Sequence, residues 1–239
     1  MNQISDPEIV DPRWKDLYQV GGICGILIPI LTILAIAIYF IWPYQPGLTS
    51  MAEIFETIQT NKLNGLMSLD FFMVVITLIN IPFFLALYVA LKRVNESYAL
   101  LALIFGLFAC IVIIPARPIA EMFTLSGQYA AATTDAAQSQ YLSAGEALST
   151  LFNGTAWIVY MITYTPAVLI PSLLMLRTNA FNKTTAYIGI FMNIGVLSIF
   201  AIIPALVVIS TLLNLVTTII STIWFVLVAR TFFKLARCS

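Results

Sequence analysis

The stretch TAYIGIFMNIGVLSIFAIIPALVVISTLLNLVTTIISTIWFVLVARTFF, running from Thr185 to Phe233, decides the fold class. No charged residue lies between Lys183 and Arg230, and no core helix or strand of a soluble domain hides so long an apolar run. A bilayer accommodates it readily. About 20 apolar residues cross about 30 Å of hydrocarbon as a helix, because lipid offers backbone N–H and C=O groups no partner and the helix satisfies them internally. The run is too long for one crossing. Ser210 and Thr211, just beyond Pro204, break its apolar character, which predicts two spans over Thr185–Val208 and Leu212–Phe233.

Composition extends this reading to the whole chain. Of 239 residues, 61% are hydrophobic and 9% charged, with a mean hydropathy of +0.98, against roughly half apolar and about a quarter charged in a soluble domain. Four further runs of crossing length occupy Gly21–Ile41, Leu66–Leu91, Ala99–Phe123 and Thr155–Leu176. The predicted fold is an all-α membrane protein, one integral membrane domain over residues 1–239, built as a six-transmembrane-helix bundle. Orientation follows from lysine and arginine, which are enriched in cytoplasmic connections. Six crossings put Arg13, Lys15, Lys92, Arg93, Arg177, Lys183, Arg230, Lys234 and Arg237 on one side, and only Lys62 and Arg117 on the other. That split predicts N-in/C-in topology in the cell membrane. Five crossings would strand the C-terminal basic cluster outside.

Residues 1–20 read as a cytoplasmic interfacial segment. Asp11-Pro12 is a helix-start pair, and Trp14, Leu17, Tyr18 and Gly21 share one face, with Trp14 and Tyr18 expected at headgroup level. The first apolar run exceeds a signal-peptide core and has no small-residue cleavage site after it, so it is expected to be retained.

Both long outer connections carry helix signals, predicting two outer-face amphipathic helices. Ser50 and Glu53 fit a capping box, and Met51, Ile54, Phe55 and Ile58 form an apolar stripe opposite Glu53, Glu56 and Thr60. In the second connection, Thr124–Gly154, Asp135 with Gln138 gives the cap signal, and Tyr141, Leu148, Leu151 and Phe152 supply the apolar side.

Several chemistries are excluded. The chain has no histidine, which removes Ser-His catalysis, histidine-ligated haem and histidine-based metal sites. Asp70 is the only aspartate within a predicted span, so no pair of carboxylates shares a proton as in aspartic proteases. No glycine-rich phosphate loop occurs, and no basic block addresses nucleic acid. Cys24, Cys110 and Cys238 lack C-x-x-C spacing and read as unpaired packing residues. No cofactor or metal is expected.

Polar groups in hydrocarbon usually face a bundle interior or a wet cavity. Asp70 lies about one turn inside the second span, with Asn80 nearer its middle. Arg117 falls 18 residues along the third span from Ala99, about 27 Å at the helical rise, close to the outer edge. Around it, Ile114-Pro-Ala-Arg117-Pro-Ile-Ala-Glu121 removes two backbone donors three residues apart, and Arg117 and Glu121 share a face if the helix persists. Two readings stand. Either a broken helix lines an outward cavity where Arg117 meets an anionic group, with Asp70, Glu121 or Glu146 neutralising it, or the span ends here and Arg117 pairs with Asp70 to hold two spans together. In the fourth span Tyr160 and Tyr164 are one turn apart and could line a cavity, while Thr163 and Thr165 suit interhelical hydrogen bonding. The candidate ligand-binding residues are Asp70, Arg117, Glu121, Glu146, Tyr160 and Tyr164; Asn80, Asn153 and Asn193 are candidate structural polar residues.

Four strings, Leu63-Asn-Gly-Leu-Met-Ser-Leu-Asp70, Ile81-Pro-Phe-Phe-Leu-Ala-Leu-Tyr-Val-Ala-Leu-Lys-Arg93, Leu125-Ser-Gly-Gln-Tyr-Ala-Ala-Ala-Thr-Thr134 and Ala144-Gly-Glu-Ala-Leu148 followed by Asn153-Gly-Thr-Ala156, resemble an uncharacterised family of prokaryotic multi-pass membrane proteins, the domain of unknown function 4386. The resemblance implies one six-span domain in a bacterial or archaeal cytoplasmic membrane, with no established activity to carry over. Function then divides three ways. The chain binds or moves a small molecule or lipid through an outward polar cavity; or its external helices dock a membrane protein partner; or, least supported, Glu121 or Glu146 serves an intramembrane enzyme. The lipid bilayer is a partner in each.

Overall fold

A computed structural model describes residues 12–41, 49–196 and 204–238. The elements among them are helical: α1 (Lys15–Ile41), α2 (Met51–Thr60), α3 (Lys62–Ser68), α4 (Phe71–Leu91), α5 (Glu96–Ile113), α6 (Ile119–Ala131), α7 (Asp135–Ser149), α8 (Thr155–Met175), α9 (Lys183–Met192) and α10 (Val207–Cys238). Among the described residues, five stretches are long and apolar enough to cross a membrane: Lys15–Ile38, Phe71–Leu91, Glu96–Ala131, Asp135–Met175 and Val208–Cys238.

Three expectations change. Ser210 and Thr211 do not divide the last apolar run, because α10 passes through both. Serine and threonine are tolerated in apolar helices when their hydroxyls bond back to the preceding turn, as Thr217 Oγ1 does to the Leu213 carbonyl at 2.8 Å. The interruption lies upstream, where α9 closes on Asn193 and Pro204–Leu206 forms a 3-10 turn into α10. Residues 197–203 of the expected fifth span lie outside the described residues. Among the described N-terminal residues, a 3-10 turn at Pro12–Trp14 leads directly into α1, which continues from Lys15 through the span, so Leu17 and Tyr18 belong to the spanning helix. Tyr18, expected at headgroup level, is fully buried against Phe232 with ring centroids 6.4 Å apart.

The chain forms two compact units. The first comprises Met1–Ile30, Leu78–Cys110 and Tyr160–Ser239. Phe83 is its hub, 4.8 Å from the Phe225 ring, 5.6 Å from Phe232 and 5.8 Å from Trp224. Gly21 and Gly25, spaced as G-x-x-x-G, let α1 approach this cluster. A Cβ on Gly21 would overlap the Ala86 methyl, and one on Gly25 would lie 2.9 Å from Ala229 Cβ and 3.2 Å from the Phe225 carbonyl. Close backbone approach replaces the hydrophobic drive that lipid cannot supply. Contacts between α9 with its flanks and α10 run in opposite directions along the two segments. Phe181 meets Phe232 at 6.5 Å, Gly189 abuts Trp224, and Gly195 abuts Thr217.

The second unit comprises Leu31–Thr77 and Ile111–Val159. Its α2 carries the complete capping box expected of Ser50 and Glu53. Ser50 Oγ accepts from the Glu53 N–H at 3.3 Å, and the Ser50 N–H donates to Glu53 Oε2 at 3.0 Å. Met51, Ile54, Phe55 and Ile58 are its buried residues, and they join Leu69, Met122 and Phe152 in one core. In α7 the cap is Thr134, whose hydroxyl accepts from the Ala137 N–H at 3.3 Å. Asp135, expected as the cap, is the first helical residue, where its charge favours the helix N-terminus. Of the expected apolar side of that segment, Phe152 is buried and Tyr141 and Leu148 pack on the core, whereas Leu151 is exposed.

Candidate functional site

Three turns assemble a polar cluster among the described residues of the second unit. Pro115 and Pro118 cannot donate to the carbonyls four residues earlier. The chain after α5 therefore tightens into the 3-10 turn Ile114–Ala116, where the Arg117 N–H takes the Ile114 carbonyl at 3.0 Å. Arg117 leaves helical geometry at φ −115°, ψ 77°, and α6 restarts at Ile119. The helix does not persist, so Arg117 and Glu121 lose the shared face expected of them. Arg117 turns inward, its side chain 5% exposed, while Glu121 is exposed on α6.

Asp70 occupies a turn as well. The expected second span began at Leu66, with Asp70 inside it. Instead α3 closes at Ser68, and Asp70 adopts φ +62° between α3 and α4. Asparagine and aspartate tolerate this left-handed conformation better than other side chains, but glycine suits it best. Asp70 uses its carboxylate here, with Oδ2 accepting from Arg117 Nε at 2.7 Å and its side chain 40% exposed.

The rest of the guanidinium environment comes from carbonyls and rings. Arg117 Nη1 donates to the Phe152 carbonyl at 3.1 Å and the Ala116 carbonyl at 3.3 Å. Both acceptors belong to 3-10 turns, Thr150–Asn153 and Ile114–Ala116, near ends whose free carbonyls carry partial negative charge. The guanidinium carbon sits 5.2 Å from the Phe152 ring centroid and 5.7 Å from that of Trp157, within cation–π range. Neither contact was anticipated from the sequence, although an arginine in an apolar run asks for such partners.

The other candidate residues fall elsewhere. Glu121 edges an open groove of about 590 Å³, lined also by Ala120, Thr124, Leu125, Ala144, Ala147 and Leu148 from α6 and α7. Glu146 is exposed on α7, its backbone carbonyl accepting from Ser149 Oγ at 2.7 Å. Tyr160 and Tyr164 belong to the first unit, their rings 5.2 Å apart and Tyr164 edge-on to Phe84 at 5.8 Å. Asn80 is buried in α4, and Asn153 is exposed in a 3-10 turn. Asn193, expected to interrupt a span, caps α9, with Nδ2 donating to the Gly189 carbonyl at 2.6 Å. Thr163 and Thr165, expected to bridge helices, donate to carbonyls of their own helix, those of Tyr160 and Met161.

The second unit thus offers one engaged cation and one open apolar groove with a carboxylate at its edge. No curated protein and no solved structure matches the chain. The model of a family described as a domain of unknown function, DUF4386, matches residues 21–229, and the chain belongs to that family.

Proposed function

We propose that this polytopic membrane protein crosses the cell membrane six times with both termini in the cytoplasm, and that its outer helices bind a small amphiphile or lipid in the groove between α6 and α7. The groove carries the reading. Its lining is alanine, leucine and threonine apart from Glu121, which suits an alkyl chain, and the carboxylate suits a cationic or hydrogen-bonding head. Arg117 is not the ligand-binding cation in this reading. Its donors to Asp70, Ala116 and Phe152 make it a brace, and the binding role moves to Glu121. A long-chain primary amine carrying a fluorophore should bind in vesicles; Ala147→Trp should weaken binding about tenfold by filling the groove, and Glu121→Gln about threefold, as an exposed charge contact warrants. Equal binding by all three chains rules the groove out.

Two observations support six crossings. The first is the nine-to-two division of basic residues. The second is the opposed run of α9 and α10. Phe181, before α9, and Phe232, near the end of α10, are in contact, which suits a chain that leaves that end at Lys183 and crosses before α10 returns. Cytoplasm-dependent reporters fused after Cys238 should be active, and the same reporters inserted at Ala205 inactive. Activity at both positions would defeat the topology.

The alternative is a scaffold whose external helices dock a partner. Met51, Ile54, Phe55 and Ile58 are core residues, so removing Ser50–Asn61 would unmake the unit rather than strip a docking surface. A docking role would have to use the outward Glu56 and Thr60.

A further inference from the structure

One end of the first unit gathers the starts of α1 and α9 and the ends of α4 and α10. Trp14, just before α1, touches Lys92, just after α4, while Tyr18 and Phe181 both meet Phe232 near the end of α10. Nine basic residues lie at that end, and Asp16 and Glu96 are the only acidic side chains among the unit's described residues. Lys92 differs from the other eight. They are exposed, whereas it is half-buried. Its Nζ stands 4.7 Å from the Trp14 ring centroid and 6.0 Å from that of Tyr88. Rings attract an ammonium through their quadrupoles but bring no counter-charge. Among the described residues no carboxylate pairs with Lys92. Glu96 instead accepts from the Tyr88 hydroxyl at 3.5 Å. The Trp14 indole N–H, covered beside it, also has no acceptor.

We propose that Lys92 and Trp14 bind the phosphate of an anionic phospholipid. A half-buried cation without a counter-ion and a covered donor without an acceptor are both answered by one anionic oxygen group. The ammonium pairs with the phosphate, and a swing of the flexible lysine stem admits an oxygen to the indole N–H. A lipid supplies that phosphate because of where the corner lies. Lys92 directly follows Leu91, the last residue of the α4 span, and lysine and tryptophan at the end of a span sit at headgroup level. The basic excess at this end selects a net negative head and repels the ammonium of a zwitterionic one. Which leaflet supplies the lipid follows from the topology proposed above. The binding itself depends neither on that topology nor on the groove at Glu121, which belongs to the second unit.

The test titrates the full chain, purified in a neutral detergent, with phosphatidylglycerol, phosphatidylcholine and inorganic phosphate, and reads bound molecules by native mass spectrometry. Phosphatidylglycerol should bind at least about threefold more tightly than phosphatidylcholine. Lys92→Gln should weaken its binding about fivefold, equivalent to the roughly 1 kcal/mol of one basic residue near an anionic surface, and Lys92→Arg should keep most of it. Arg237→Gln, exposed at the same end, should cost less than about twofold. Equal losses in Lys92→Gln and Arg237→Gln would reduce the site to diffuse attraction and overturn the proposal. So would equal binding of the two lipids, or displacement of phosphatidylglycerol by millimolar inorganic phosphate. Should Lys92→Gln fail to accumulate, Trp14→Leu decides. It removes both ring and N–H and should weaken binding about threefold; unchanged binding overturns the assignment.

Discussion

Asp70→Asn is expected to cost about 3 kcal/mol of stability in the second unit, the low end of what breaking a buried ion pair from one side costs, because Arg117 is buried while Asp70 is partly exposed. The substitution is nearly isosteric and keeps a side chain that tolerates φ +62°, so backbone strain does not confound it. What it removes is the charge facing a guanidinium whose side chain is 5% exposed. The Ala116 and Phe152 carbonyls and two aromatic rings remain, but none carries a full negative charge. Asp70→Gly separates the two effects. It relieves the left-handed conformation, worth about 1 kcal/mol, and should still be destabilised. Combining Asp70→Asn with Arg117→Met should recover most of the loss, since a buried pair replaced by apolar groups is often near neutral. Denaturation of wild type, Asp70→Asn, Asp70→Gly, Arg117→Met and the double variant in one lipid or detergent checks this. A double variant as unstable as the sum of its singles would show that Asp70 and Arg117 act independently.

Phe55→Ala should be about as damaging, at about 3–5 kcal/mol, by leaving a cavity in a packed core. Phe55 is fully buried, its ring 5.6 Å from that of Tyr129, and a Cβ on Gly145 would lie 2.7 Å from its Cζ. It therefore ties α2 to both α6 and α7. Hydrogen exchange should speed up along 51–60, 119–131 and 135–149, whereas amides around Phe83 and Trp224 keep their protection. Phe55→Leu should cost less than half as much, because the site loses less volume. If Phe55→Ala shifts stability by under about 1 kcal/mol, α2, α6 and α7 are not held by a shared core.

The two expectations read most fully from the sequence were local. The capping box at Ser50 and Glu53 and the stripe Met51, Ile54, Phe55 and Ile58 depend on residues three and four apart along one helix, a spacing the sequence carries directly. The helix break at Arg117 was legible for a similar reason, since proline acts on its own turn. Its consequence was not. Whether Arg117 and Glu121 stay on one face depends on backbone angles after the break, and the 3-10 turn Ile114–Ala116 sends them apart. The Asp70–Arg117 pair could be named as one of two readings, because charges in apolar runs seek each other, but residues 47 apart in sequence meet only through tertiary packing. The Phe152 carbonyl and the Trp157 ring carried no such signal.

The sequence by itself determined that this chain lies in a membrane as helices and that an amphipathic helix follows Ser50. Those properties come from composition, run length and short-range spacing, which survive any arrangement of the segments. The tertiary structure decided which polar groups are already engaged. It buried Arg117 against Asp70, set Glu121 at an open groove and placed Tyr18 in an aromatic core. Each depends on which side of a helix faces a distant neighbour. Side-chain direction changes by about 100° per residue in a helix, so a single break or one-residue shift in where a helix starts reassigns every face beyond it.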